Sequence, residues 1–168
     1  MKILAIRGQN LASLADEFEI LLHDGVLANV GLFAITGQTG AGKSTILDAL
    51  CLALYDKIPR LPDGLGVAIG HKDEDERIKH NDVRSILRRG ASFGFAEVDF
   101  IGTNKLAYRA RWQVSKTKTS HKLQAQEMFL TEIATGLALG DNKKNSVLNL
   151  ISERIGLNFE QFRRSVLL

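Results

Sequence analysis

Gly37-Gln38-Thr39-Gly40-Ala41-Gly42-Lys43-Ser44 meets every fixed position of G-x-x-x-x-G-K-[ST]. The glycines let the backbone curl round a phosphate with no Cβ in the way, so that successive N–H groups converge on the anion. A helix starting at the end of such a loop adds its positive pole to the same charge. Lys43 is expected to reach the β- and γ-phosphates and Ser44 to ligate Mg²⁺ through its hydroxyl. Thr45 adds a hydroxyl one position on. The nucleotide site is therefore expected at Gly37, Gln38, Thr39, Gly40, Ala41, Gly42, Lys43, Ser44 and Thr45, for ATP or GTP, with ATP the expected ligand.

The flanks suit that reading. Gly31 to Thr36 is a continuous apolar run, expected to form a strand buried on both faces. The segment from Ser44 to Tyr55 is apolar nearly all round, which predicts a helix in the middle of the domain. Met1–Ile6 and Phe18–Leu22 read as strands, with Phe18, Ile20 and Leu22 on one face. From Asp56 to about Gly94 prolines, glycines and a charged stretch break regular structure. A short helix is predicted at Asp82–Arg89, and the least order at Pro62 to about Asn81.

Alternation then marks a hairpin. Ala96, Val98 and Phe100 share a face, with Glu97 and Asp99 opposite. In the next run Leu106, Tyr108, Ala110, Trp112 and Val114 share a face, with Lys105, Arg109 and Arg111 opposite. A three-residue turn at Gly102-Thr103-Asn104 keeps the faces aligned and predicts Phe100 opposite Leu106 and Glu97 opposite Arg109. Glu127–Ile133 is a further strand, turning through Thr135-Gly136. Asn145 or Ser146 is the expected cap of a helix buried through Val147, Leu148, Ile151 and Ile155 and stopped by Gly156. A last helix carries Phe159 and Phe162.

The chain has 168 residues, 45% of them hydrophobic and 24% charged, which predicts one domain with a real core. One cysteine, Cys51, excludes an intramolecular disulfide and is expected to be an inert core thiol. His23, His71, His80 and His121 lack metal-ligand spacing. No stretch reads as a signal peptide or a membrane span, so a cytoplasmic protein with no membrane partner is expected. The formal charge of +3 is mildly basic. From Phe100 to Gln126, Lys105, Arg109, Arg111, Lys116, Lys118 and Lys122 occur with no carboxylate. They read either as a DNA-phosphate surface or as a solvated hairpin.

Around the glycine loop the sequence resembles the amino-terminal ATPase lobe of the SbcC family, SMC-like double-strand-break repair ATPases. The resemblance is carried by Met1-Lys2-Ile3-Leu4, Asn10-Leu11, Gly31 to Gly37, Thr39 to Lys43, Leu47-Asp48-Ala49 and Cys51 to Tyr55. Pro59-Arg60-Leu61, Ala96 to Phe100, Tyr108-Arg109-Ala110, Gly156-Leu157 and Phe162 to Leu168 extend it. It covers the chain except about Gly64–Asn81 and Ser115–Gln126. Two positions depart from relatives: Gln38, and Ala12 where some carry a basic residue near the nucleotide, so no phosphate contact is assigned to position 12.

The resemblance implies an α/β P-loop NTPase fold: the amino-terminal lobe of an ABC-type head over residues 1–168, with a mixed sheet and an antiparallel hairpin. It implies ATP and Mg²⁺ as cofactors, and double-stranded DNA, an SbcD-like nuclease subunit and a second ATPase head as partners. The second lobe, the coiled coil and the catalytic groups are implied to lie outside this chain. No catalytic residue is therefore expected here, and the isolated chain is expected to bind adenine nucleotide modestly and hydrolyse it negligibly. It also moves the expectation at Lys105, Arg109, Arg111, Lys116, Lys118 and Lys122 to sequence-independent DNA contact. The rivals are an SMC-like clamp or plasmid-defence ATPase without nuclease activity, and a P-loop kinase or GTPase.

Overall fold

The computed structural model describes residues 1–28, 30, 32–61, 68–69, 78–79, 81–141 and 143–166. Six strands form one sheet: β1 (Lys2–Gln9), β2 (Phe18–Leu21), β5 (Phe93–Ile101), β6 (Ala107–Ser115), β7 (Glu127–Glu132) and β8 (Ala138–Leu139). Their spatial order is β2-β1-β5-β6-β7-β8. Two-residue strands β3 (Ala68–Ile69) and β4 (Ile78–Lys79) pair with each other. The helices are α1 (Lys43–Tyr55), α2 (Lys144–Ile155) and α3 (Phe159–Val166), with 3₁₀ turns at Gly25–Leu27 and Val83–Ile86. The expectation for Pro62–Asn81 falls largely outside the described residues.

Among the described residues every strand pair is antiparallel, which corrects the expected mixed sheet. The reason lies in Gly31–Thr36, which also departs from expectation. Residues 32–36 form no strand, and Leu32 and Phe33 are 77% and 43% exposed. A strand buried on both faces needs sheet neighbours and cover above and below. The six-stranded sheet ends at β2 and β8, and neither edge pairs with this segment.

The core lies between one face of the sheet and the helices. Ala96, Val98, Phe100, Tyr108, Ala110, Trp112, Val114, Met128 and Leu130 line that face. Helix α1 lies centrally against it, with Ala49 to Leu54 at most 3% exposed, as its all-round apolar sequence requires. The thiol of Cys51 is buried and its pKa is pushed up to about 12, by burial first and then by the Asp48 carboxylate. Helix α2 starts at Lys144 with Lys143 as its cap, slightly earlier than expected, and Gly156 stops it at φ +73°.

The hairpin turn has the expected three residues but sits one residue later, at Thr103-Asn104-Lys105. Phe100 therefore pairs with Tyr108, Asp99 with Arg109 and Glu97 with Arg111. Lys105 takes the left-handed position at φ +68°. Asn104 accepts from Leu106 N–H and donates to the Tyr108 hydroxyl. Thr103 N–H donates to Arg154 C=O at 2.8 Å, tying the turn to α2. The expected register gives only Glu97 an arginine opposite. The observed one gives each buried carboxylate its own, which decides the matter because an unpaired buried charge is costly. The helix expected at Asp82–Arg89 reduces to the 3₁₀ turn, where Asp82 caps Arg84 N–H.

Candidate nucleotide site and charged sheet face

The glycine loop closes onto the N-terminus of α1. Ala41 N–H donates to Gln38 C=O at 3.2 Å, forming the turn, and Gly42 caps the helix at φ +88°. A Cβ on Gly42 would lie 2.6 Å from Leu14 Cδ2, so a side chain there is strained by backbone conformation and must also push the Leu14 side chain aside. Gly40 is also left-handed, at φ +86°, but a Cβ there would meet nothing within 4 Å.

Lys43 folds back over the loop, donating from Nζ to Gly37 C=O at 2.8 Å and Gln38 C=O at 2.7 Å. An ammonium has three donors, so one remains for an anion. Ser44 is exposed on the first turn, while Thr45 is buried. Among the described residues no three His, Cys, Asp or Glu side chains gather as a metal site. The donor set fits Mg²⁺ held by the Ser44 hydroxyl together with phosphate oxygens and water, the way Mg²⁺ is held beside nucleotides. When bound, the ion neutralises phosphate charge.

Asp48 lies one turn beyond Ser44, its side chain 3% exposed. Arg60 Nη2 approaches Asp48 Oδ2 at 2.6 Å, yet that oxygen has no hydrogen-bond partner among the described residues. The contact neutralises charge off the hydrogen-bond axis. Burial pushes the Asp48 pKa up to about 6 against the pull of Arg60. The folded protein thus holds this proton more tightly than the unfolded chain. The stability it confers is complete below about pH 4 and is lost as pH rises through about 6, by on the order of 2–3 kcal/mol. Asp48→Asn should flatten this part of a plot of urea midpoint against pH. An unchanged slope between pH 4 and 7 would mean the effect belongs to another group. Asp99 and Asp82 are held below the ordinary carboxylate range, so their contributions fade only as pH falls lower still.

The far face of the sheet carries the arginines expected to meet DNA. Arg109 grips Asp99 with two hydrogen bonds, at 2.7 and 2.8 Å, and Arg111 Nη1 donates to Glu97 at 2.9 Å. Arg7, from β1, joins Glu19, Glu97 and Asp99. Glu97 and Asp99 are only 7% and 5% exposed. Burial pushes the Asp99 carboxyl up, but the hydrogen bonds from Arg109 and Arg7 pull it further down. The Asp99 hydrogen bonds, opposed by burial, hold the Arg109 guanidinium above its usual value. Arg111 also lies over the Phe95 ring, 3.9 Å from its centroid. Three guanidinium groups thus meet three carboxylates, from strands the sequence keeps far apart.

Lys105 stands apart from these in the hairpin turn. Lys116, Lys118 and Lys122 lie in the β6–β7 connection, closed by the Lys116–Leu123 bridge and the Thr117 N–H to Lys122 C=O bond of 2.9 Å. The structure therefore divides the six cations into two sheet arginines, each paired with a carboxylate, and four lysines in connections. Of the histidines, His23 Nδ1 sits 2.9 Å from Leu4 C=O; His71 and His80 fall outside the described residues. No helix among the described residues is long and apolar enough to cross a membrane.

Sequence pattern missed Asp56. It ends α1 in the left-handed conformation, φ +53°. Its carboxylate accepts from Trp112 Nε1 at 2.8 Å, Gln126 Nε2 at 3.0 Å and Lys144 Nζ at 2.8 Å. The α1 terminus is thereby locked to β6, to the β6–β7 connection and to α2. Beside it Tyr55 donates to Leu157 C=O and packs on Phe159 and Phe162.

A glycine loop that fits G-x-x-x-x-G-K-[ST] and closes onto the N-terminus of a buried helix has the form of a P-loop, the mark of a class of nucleotide-binding proteins. The family described as AAA domain matches residues 5–168, and the chain belongs to it. Over its whole length the chain is 48% identical to the SbcC subunit of nuclease SbcCD from Pseudomonas aeruginosa and 47% identical to that from Rhodobacter capsulatus. The Bacillus subtilis protein of the same name is 30% identical, again over the whole chain. The chain spans 13–14% of the length of these relatives.

Proposed function

We propose that this chain is the ATP-binding lobe of an SbcC-type ATPase that drives DNA end processing with an SbcD-like nuclease subunit. The observation that carries this reading is identity near one half to SbcC proteins over the entire chain, well beyond the glycine loop. Gly37 to Thr45 bind ATP, Ser44 ligates Mg²⁺, and hydrolysis is completed by groups outside this chain. The exposed apolar run through Leu32 and Phe33 supports a head made of two lobes, because it leaves a flank for a second lobe to cover. The full protein pairs two such heads, joins its lobes through a coiled coil and works in the cytoplasm.

Double-stranded DNA is the substrate. Its phosphates meet Lys116, Lys118 and Lys122 of the β6–β7 connection, with Lys105 at the hairpin tip. Arg109 and Arg111 contribute less than their charge suggests, since Asp99 and Glu97 already neutralise them.

The test is cleavage of linear duplex DNA by the full-length protein assembled with its nuclease subunit, with and without ATP. Lys43→Ala is expected to abolish the ATP-dependent part. Lys116→Glu/Lys118→Glu/Lys122→Glu is expected to weaken duplex binding and flatten its salt dependence, because fewer counterions are released. ATP-dependent cleavage that survives Lys43→Ala refutes the nucleotide reading. An unchanged salt slope in the triple variant refutes the DNA surface.

A further inference from the structure

The segment Asn10–Leu14 is held in an unusual conformation next to the glycine loop. Two of its non-glycine residues have positive φ, Asn10 at +55° and Ala12 at +45°. Such a conformation costs energy and persists only where the surroundings impose it. The segment folds on itself, Leu11 N–H donating to Leu14 C=O at 2.9 Å and Leu14 N–H to Leu11 C=O at 2.8 Å. Its far end carries Leu14, the side chain that fills the space a Cβ on Gly42 would need.

What imposes the conformation is the stretch from Ile86 to Arg88. Ala12 N–H donates to Ile86 C=O at 2.7 Å, and Arg88 N–H to Asn10 C=O at 2.9 Å. The Arg88 guanidinium then spans the turn, Nη1 donating to Ala12 C=O and to Ser13 C=O, each at 3.2 Å. Both bonds come from one terminal NH₂ of the guanidinium, whose two hydrogens reach the two adjacent carbonyls. The chain of contacts runs from Arg88 through Ala12 and Ser13 to Leu14, and from Leu14 to Gly42.

We infer that Arg88 is a positioning residue for the nucleotide loop: it clamps the strained Asn10–Leu14 segment that sets where Gly42 and the N-terminus of α1 stand. The inference rests on Gly37–Ser44 being the nucleotide loop, and it assigns Arg88 no contact with the nucleotide itself. Losing the guanidinium leaves the two backbone bonds to Ile86 and Arg88 in place but frees the Ala12 and Ser13 carbonyls, so that Leu14 shifts and the loop relaxes away from phosphate-binding geometry.

The test uses this chain, its backbone amide resonances without ligand, and titration with a fluorescent ATP analogue in Mg²⁺. Arg88→Ala is expected to shift the Leu14 and Gly42 amides and to raise Kd by about tenfold, since small misplacements of a binding group are expensive. Arg88→Lys keeps a cationic donor group for the same carbonyls on a shorter side chain and should raise Kd by only about threefold. Leu14→Ala should weaken binding like Arg88→Ala while leaving Arg88 in place. Arg89→Ala, which removes the neighbouring exposed charge, should change neither reading. All titrations are run below the melting transition of every variant. Arg88→Ala with parental Gly42 resonance and parental Kd overturns the inference, as does Arg89→Ala with an equal loss. A parent chain that fails to bind the analogue refutes the nucleotide reading instead, and the ligand-free Gly42 shift still decides the role of Arg88.

Discussion

Gly42→Ala is expected to weaken nucleotide binding by at least about tenfold and to destabilise the fold by roughly 2 kcal/mol. Two independent costs fall on this position. The backbone is left-handed, at φ +88°, which penalises any L side chain. The new methyl must also displace Leu14, whose Cδ2 and Cγ would stand 2.6 and 3.0 Å away. Leu14 is half-buried, so its side chain gives way first, and whatever it cannot yield is taken up by the clamped segment behind it or by the helix N-terminus. Either movement alters where the N–H groups of the loop point. Gly40→Ala supplies the comparison, because its φ is nearly the same and its Cβ meets open space. It should lose about 1 kcal/mol of stability from the backbone alone. Urea denaturation and nucleotide titration of both variants separate the two costs. If Gly42→Ala resembles Gly40→Ala in both measurements, the contact with Leu14 has no consequence.

Asp56→Ala is expected to cost about 3–5 kcal/mol, the largest stability effect of any single polar substitution considered. The Trp112 indole is fully buried and its N–H has Asp56 as its partner, so truncation leaves an orphaned donor in the core. Gln126 and Lys144 lose their acceptor at the same moment, although Lys144 is 38% exposed and recovers part of its solvation. Asp56→Asn separates charge from shape. Asparagine tolerates the left-handed backbone and keeps one acceptor, but its NH₂ faces donors. It should cost about 1–2 kcal/mol, mainly through Lys144. Thermal unfolding in the order parent, Asn, Ala checks the argument; equal losses would mean that conformation matters and the network does not.

Local patterns made much of this molecule legible. The spacing of glycines, Lys43 and Ser44 foretold a tight loop running into a helix, because the pattern lies within eight consecutive residues. The all-round apolar sequence of α1 placed that helix in the core, and strict alternation separated the two faces of β5 and β6. Each of these rests on interactions within a turn of helix or along one strand. What the sequence could not show was decided between residues far apart in the chain. The register of β5 against β6 moved because Glu97 and Asp99 are both buried, a fact known only once β1 brings Arg7 to the same face. The cations read as one DNA surface divided for the same reason, as carboxylates outside the run folded back onto Arg109 and Arg111. Gly31–Thr36 reads as a buried strand because its residues are apolar, but burial needs a neighbour, and none of the six strands pairs with residues 32–36. Asp56 and Arg88 carry no local signal. Their partners lie up to 88 and 76 residues away, and only the packed chain brings them within hydrogen-bonding distance.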